Sequence, residues 1–249
     1  MKKWALFILL IVFFVLLLII ILNNSSSFKI VDCSKKISYA KKKFDDYPVI
    51  GWIRVQGTNI DYFLMGKNDD YPVKIDKYAW VETNDDKFHN VMNIFGHNVM
   101  NLGGYPSKHD ELFTRFEEVV SFLYYDVAKS NKYVHINVNN KDYVYQIFAV
   151  GVTSNYYLYN LPVGEYTKKQ KESYLKLVEE NSIYDYNVKR GLDDDYITLI
   201  TCTRIFGNTN QSIYISAKRV NKINNFNYSV KKNSNYKKIE NRLEGEKNE

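Results

Sequence analysis

Nineteen consecutive apolar residues, WALFILLIVFFVLLLIIIL from Trp4 to Leu22, set the first constraint on this chain. At a helical rise of about 1.5 Å per residue the run is roughly 28 Å long, close to the thickness of a bilayer's hydrocarbon core. A cleaved signal peptide is the competing reading. Its apolar stretch is usually about 7 to 15 residues and leads to a small-residue cleavage site, whereas here a longer run is followed by NNSSSF. The expectation is an uncleaved single-pass anchor in the cell membrane. Lys2 and Lys3 favour a cytoplasmic N-terminus and an extracellular domain, although Lys29, Lys35 and Lys36 on the other side weaken that bias.

Behind the anchor the chain has enough apolar residues for one substantial domain. It is 45% hydrophobic and 16% aromatic, with only four prolines in 249 residues, which argues against disorder. The net charge of +6 sits largely at the ends. Residues 221–249 hold seven Lys or Arg against four Glu, leaving 25 basic and 24 acidic residues between the anchor and that tail. A nearly neutral domain carries no electrostatic footprint for nucleic acid. The expected division is 1–27 for cytoplasmic stub, anchor and polar linker, 28–44 for an N-terminal helical segment, 45–220 for the main domain, and 221–249 for a charged, mobile tail.

Within the domain, period-two segments dominate. IGWIRV and IDYFLM flank the turn residues QGTN, and further strands are expected at 90–95, 133–138, 143–152, 196–202 and 213–220. The pair Asn139 and Asn140 suits a tight hairpin. Helices are expected from Ser34 to Phe44, from about Asp110 to Phe122 with capping-box spacing at Ser107 and Asp110, and from about Thr167 to Asn181. Many short strands and few helices imply a mostly β, largely antiparallel barrel or sandwich. Internal repeats and metal-ligand spacing are both missing from the sequence.

The candidate chemistry rests on His97 and Cys202. Of the four histidines, His89, His97, His109 and His135, only His97 follows a strand directly, in the turn-rich NIFGHNVMNLGG; His135 lies inside a strand and reads as structural. Cys202 closes an apolar, β-branched strand. From these features alone it is as much a small buried residue as a nucleophile. Cys33 and Cys202 are both expected as free thiols, since bonding them would remove the nucleophile.

The combination of GWIRVQGTNIDY (51–62), NIFGHN (93–98), YQIFAV (145–150) and ITLITC (197–202), followed by IYISAK, resembles the sortases, in particular class B sortases of Gram-positive cell surfaces. The resemblance covers roughly residues 45–220. It implies an eight-stranded closed barrel with N-terminal helices and an inserted helix before the cysteine strand, here the helix near 167–181. It also implies that Cys202 is the nucleophile and His97 the general acid and base of a transpeptidation. The thiolate attacks a Thr carbonyl in the C-terminal sorting motif of a secreted protein, and the thioester is resolved by an amine of the peptidoglycan cross-bridge or of a pilin. Neither metal nor organic cofactor is required.

Two positions depart from the family pattern. Phe63 stands where a proline usually follows the Asp and Tyr of the early strand. Ser212 stands where the family has its catalytic arginine, about ten residues after the cysteine. Arg204, two residues past Cys202, is the nearest arginine. If the strand continues through Thr203, Arg204 falls on the same face as the cysteine and replaces the missing residue. The same framework is also compatible with a catalytically impaired surface binding or assembly module, or with a hydrolytic cysteine peptidase.

Overall fold

The computed structural model describes residue 4 and residues 11–14, 28–66, 78–81, 89–98, 116–203, 210–223 and 228–241. The period-two segments form strands β1 (Val49–Val55), β2 (Asp61–Met65), β3 (Tyr78–Val81), β4 (Val91–Phe95), β5 (Tyr133–Val138), β6 (Lys141–Ser154), β7 (Tyr184–Tyr186), β8 (Tyr196–Thr203), β9 (Gln211–Val220) and β10 (Val230–Lys232). Eight of them pair in the order β1-β2-β3-β4-β8-β9-β6-β5, and β5 pairs back onto β1. The junctions β2–β3 and β4–β8 are parallel and the others antiparallel. The result is a strongly curled, mostly β sheet in which β3 is short. Among the described residues it is held there by Phe63↔Tyr78, Leu64↔Ala79 and Met65↔Trp80 on one side and Trp80↔Phe95 and Val81↔Ile94 on the other. Strands β7 and β10 form a separate two-stranded sheet.

Alternation along the strands divides the apolar residues between two cores. The concave face gathers Ile53, Leu64, Ile94, Ile136, Ile197, Leu199, Ile213 and Ile215 with the 3-10 helix Phe116–Leu123. On the other face lie Phe95, Ile200 and Tyr214. That face is covered by helices α3 (Asn155–Tyr159) and α4 (Lys168–Glu180), which contribute Leu158, Tyr174 and Val178. Helix α4 begins at an N-cap where Thr167 accepts from the Gln170 backbone while Gln170 reaches back to Thr167, and it ends with Asn181 as C-cap. Gly151 lets this helix come close. A Cβ there would stand 2.3 Å from the Asn181 carbonyl oxygen and 2.5 Å from the Tyr214 hydroxyl, which donates to the Val178 carbonyl at 2.6 Å.

Helix α1 (Ser34–Lys43) docks on β1 and β2. Its last turn carries Lys41, Lys42 and Lys43, which suit the negative end of the helix dipole. The Phe44 ring beyond it stacks on Phe63 with centroids 4.8 Å apart, so the residue in the proline position serves as the helix's apolar seat. Asp61 fastens the same corner through Lys36 and the Trp52 indole, with Arg54 at 3.7 Å. Burial pushes the Asp61 carboxyl up. The hydrogen bonds from Lys36 and Trp52 and the charges of Lys36 and Arg54 outweigh this and hold it below the ordinary carboxylate value.

Two expectations need correction, and a third falls mostly outside the described residues. The helix expected over 110–122 is a 3-10 helix over Phe116–Leu123, and Ser107 and Asp110 lie outside the described residues. The short helix α2 (Tyr125–Ser130) follows it. Among the described residues no helix is long and apolar enough to cross a membrane. Most of the run Trp4–Leu22 lies outside them, and the parts described, Trp4 and Ile11–Phe14, are helical and exposed. Within the tail expected to be mobile, part of the described segment 228–241 is packed. β10 pairs with β7, and Val230, Tyr236 and Ile239 are buried against the concave core. Composition averaged these three apolar residues into their Asn- and Lys-rich surroundings and so concealed them. Ile239→Ala should therefore cost about 2 kcal/mol or more, read as a lower urea midpoint with unchanged slope, and deletion of 225–249 should destabilise further. A truncated chain with the full-length midpoint would show the tail to be dispensable.

Candidate active site

The site is built where β4 and β8 end side by side. Their parallel register runs Val91↔Tyr196 to Phe95↔Ile200. It continues one rung further, as the Gly96 N–H donates to the Ile200 carbonyl at 3.1 Å and the Thr201 hydroxyl donates to the Gly96 carbonyl at 2.7 Å. The next rung of a parallel ladder would take the Asn98 backbone N–H to the Cys202 carbonyl. The Asn98 side-chain amide makes that bond instead, at 2.8 Å. Asn98 is 8% exposed, and its Oδ1 has no partner among the described residues. In this register His97 lies level with Cys202, on strands about 4.8 Å apart. Period two places His97 on the face of Phe95 and Cys202 on the face of Ile200, and both of those residues belong to the helix-covered core. The sequence-predicted pair is thus brought to one face at one height, with both residues half-buried.

Gly96 is required for this arrangement. A Cβ at that position would stand 2.2 Å from Cβ of the fully buried Phe116. The Phe116 N–H in turn donates to the His97 carbonyl at 3.1 Å, so the 3-10 helix backs the loop that carries the histidine.

The other flank of Cys202 belongs to β9, where Ser212 is its direct antiparallel partner. Ser212 is fully buried, and its hydroxyl donates to Oδ1 of Asn155, the first residue of α3, at 2.7 Å. The Asn155 N–H is tied to the Asn210 carbonyl at 3.0 Å. Below this level the same face carries a buried hydroxyl chain, with Tyr174 2.8 Å from Thr198 and Thr198 3.3 Å from Ser216. Burial pushes the Tyr174 phenol up to about 12, so it stays neutral. Arg204 lies outside the described residues, as does His109. His135 is structural, buried and 2.8 Å from Asp142. His89 lies 3.3 Å from Glu165. Sequence reasoning missed Asn98 and Asn155; the position of Asn98 beside His97 in NIFGHN was the one available signal.

Comparisons with known proteins identify the fold. No family model matches the sequence, and no curated protein does. Among solved structures the chain is similar to sortase B of Clostridium perfringens, at 24% identity and TM-score 0.60 over 74% of this chain and 99% of that one. The sortase B from the type II pilus of Streptococcus pneumoniae matches at 23% and 0.59, over 74% and 98%. The Staphylococcus aureus sortase B–substrate complex matches at 14% and 0.55, over 75% and 92%. The chain therefore has a class B sortase-like fold.

The two cysteines are free and differ in surroundings. Burial pushes the Cys33 thiol up, against the opposing charge of Lys36, and its Sγ lies 3.3 Å from the Val31 carbonyl. Cys202 is half-buried. Cys33 is fully buried with its thiol pushed up, so at about pH 8 iodoacetamide should modify the half-buried Cys202 faster than Cys33. Peptide mapping of the labelled protein checks this, and equal rates would contradict the placement of Cys33. Asn98→Ala, which strands the Cys202 carbonyl, should cost about 1–3 kcal/mol in denaturant unfolding.

Proposed function

We propose that the chain is a membrane-anchored, sortase-type cysteine transpeptidase. Residues 4–22 hold it in the cell membrane with the catalytic domain outside. The observation that carries this reading is the level placement of Cys202 and His97 at the paired ends of β4 and β8, in a class B sortase-like fold. The Cys202 thiolate attacks the carbonyl carbon of a threonine in the C-terminal sorting motif of a secreted protein. The tetrahedral intermediate collapses with cleavage of the peptide bond, His97 gives a proton to the departing amine, and an acyl thioester remains. An amine of a peptidoglycan precursor or a pilin then attacks the thioester, His97 takes its proton, and the sulfur leaves as the thiolate. Sulfur suits both steps, as nucleophile and as leaving group. Arg204 supplies positive charge to the developing oxyanion.

Ser212 at the family's arginine position favours a second reading, a catalytically impaired surface binding module. Hydrolytic peptidase action is the third, since water also resolves a thioester. N-acetyl-threonine p-nitrophenyl ester as acyl donor and glycylglycine as acceptor separate the three. The transpeptidase releases p-nitrophenol and forms the amide product. Water-only resolution marks a hydrolase, and no release beyond that of Cys202→Ala marks a binding module. Cys202→Ala should abolish turnover, Cys33→Ser should retain it, and His97→Ala should lower amide formation by at least about a hundredfold. Arg204→Ala should lower acylation by about a hundredfold. A silent Arg204→Ala would remove that residue from the mechanism.

A further inference from the structure

The strand order β4-β8-β9-β6 gives Cys202 two different flanks. His97 occupies the β4 flank, where the departing and arriving amines exchange their proton. A tetrahedral carbon on the sulfur projects its amine and its oxyanion in different directions, so the oxyanion falls towards the β9 flank. The residue directly opposite Cys202 there is Ser212, on the same face. Its hydroxyl proton is already committed to Asn155 Oδ1 at 2.7 Å, and the lone pairs that remain would repel an oxyanion.

The Asn155 amide is held the opposite way round. Its oxygen is fixed by Ser212 and its backbone N–H by the Asn210 carbonyl. Its Nδ2 makes no hydrogen bond among the described residues, and the side chain is half-buried beside the site. An amide anchored through its oxygen presents its N–H groups at the other end of the same plane. We propose that Asn155 donates an N–H from Nδ2 to the oxyanion formed at Cys202, with Ser212 as the positioning residue that fixes the amide's orientation. This rests on the transpeptidase reading and adds a neutral donor to it. The pair takes over the location that an arginine holds in the family, with the hydrogen-bond donor moved from β9 to the start of α3.

The test compares two reactions of the same sulfur. Acylation by N-acetyl-threonine p-nitrophenyl ester passes through an oxyanion, whereas alkylation by iodoacetamide is a direct displacement and does not. Asn155→Ala should lower the acylation rate by about a hundredfold while changing alkylation less than about twofold. Asn155→Asp keeps the oxygen that Ser212 donates to but sets a negative group where the donor was, and should be at least as slow as Asn155→Ala. Ser212→Ala should lower acylation about tenfold, Ser212→Thr should restore most of it, and the Asn155→Ala/Ser212→Ala pair should be no slower than Asn155→Ala alone. Thermal midpoints check that each variant is folded. Unchanged acylation in Asn155→Ala, an active Asn155→Asp, or equal losses of acylation and alkylation would overturn the proposal while leaving the transpeptidase reading standing. A wild-type protein that acylates no faster than Cys202→Ala would overturn both.

Discussion

The parallel pairing of β4 with β8 is the constraint on which the site depends. Parallel strands share a direction, so two side chains far apart in sequence emerge at the same end and on the same face only if the register is held to the last rung. Here the backbone ladder ends at Gly96, and side chains carry the register on. Thr201 fastens the Gly96 carbonyl and Asn98 fastens the Cys202 carbonyl. A slip of one residue would turn Cys202 into the concave core and bring Thr203 out. The two cores resist that slip, because Leu199 and Ile200 are both fully or almost fully buried on opposite faces.

That division of labour extends across the sheet. One face of β8 and β9 fills the concave core, and the other seats α3 and α4 below the half-buried Cys202 and the buried Ser212. The helices therefore contribute more than cover. Tyr174 and Val178 of α4 lock the sheet through the Thr198 and Tyr214 hydroxyls, and α3 sets Asn155 against Ser212, the cross-strand partner of Cys202. The cost of the arrangement is borne by close approaches such as Gly96 against Phe116, where any side chain would displace the histidine loop.

Much of the frame was legible because its causes are local. β5 occupies Tyr133–Val138, as its alternation predicts, and Asn139 and Asn140 adopt φ of 52° and 58°, the left-handed pair a two-residue hairpin needs. Helix α4 runs Lys168–Glu180, inside the bounds of about Thr167 to Asn181 read from sequence. What escaped was short or long-range. β3, β7 and β10 have too few residues for a periodic signal, and α3 is a single five-residue turn. Asn98 and Asn155 escaped for another reason. Their partners lie 104 and 57 residues away, and an asparagine just past a strand or at a helix start carries no local mark of such a bond.

A cross-link tests the juxtaposition of the β4 and β8 ends most directly. In a Cys33→Ser background, His97→Cys leaves two thiols at positions that the register sets level, on strands about 4.8 Å apart. Disulfides need Cα separations of roughly 4.4 to 6.8 Å. Under oxidised glutathione, the account predicts near-complete formation of a Cys202 disulfide with the introduced cysteine, seen by intact mass and by loss of iodoacetamide labelling. A cysteine introduced at His89, at the other end of β4, should form none. Free, alkylatable thiols at both 97 and 202 in a folded protein would contradict the placement from which the proposed chemistry follows.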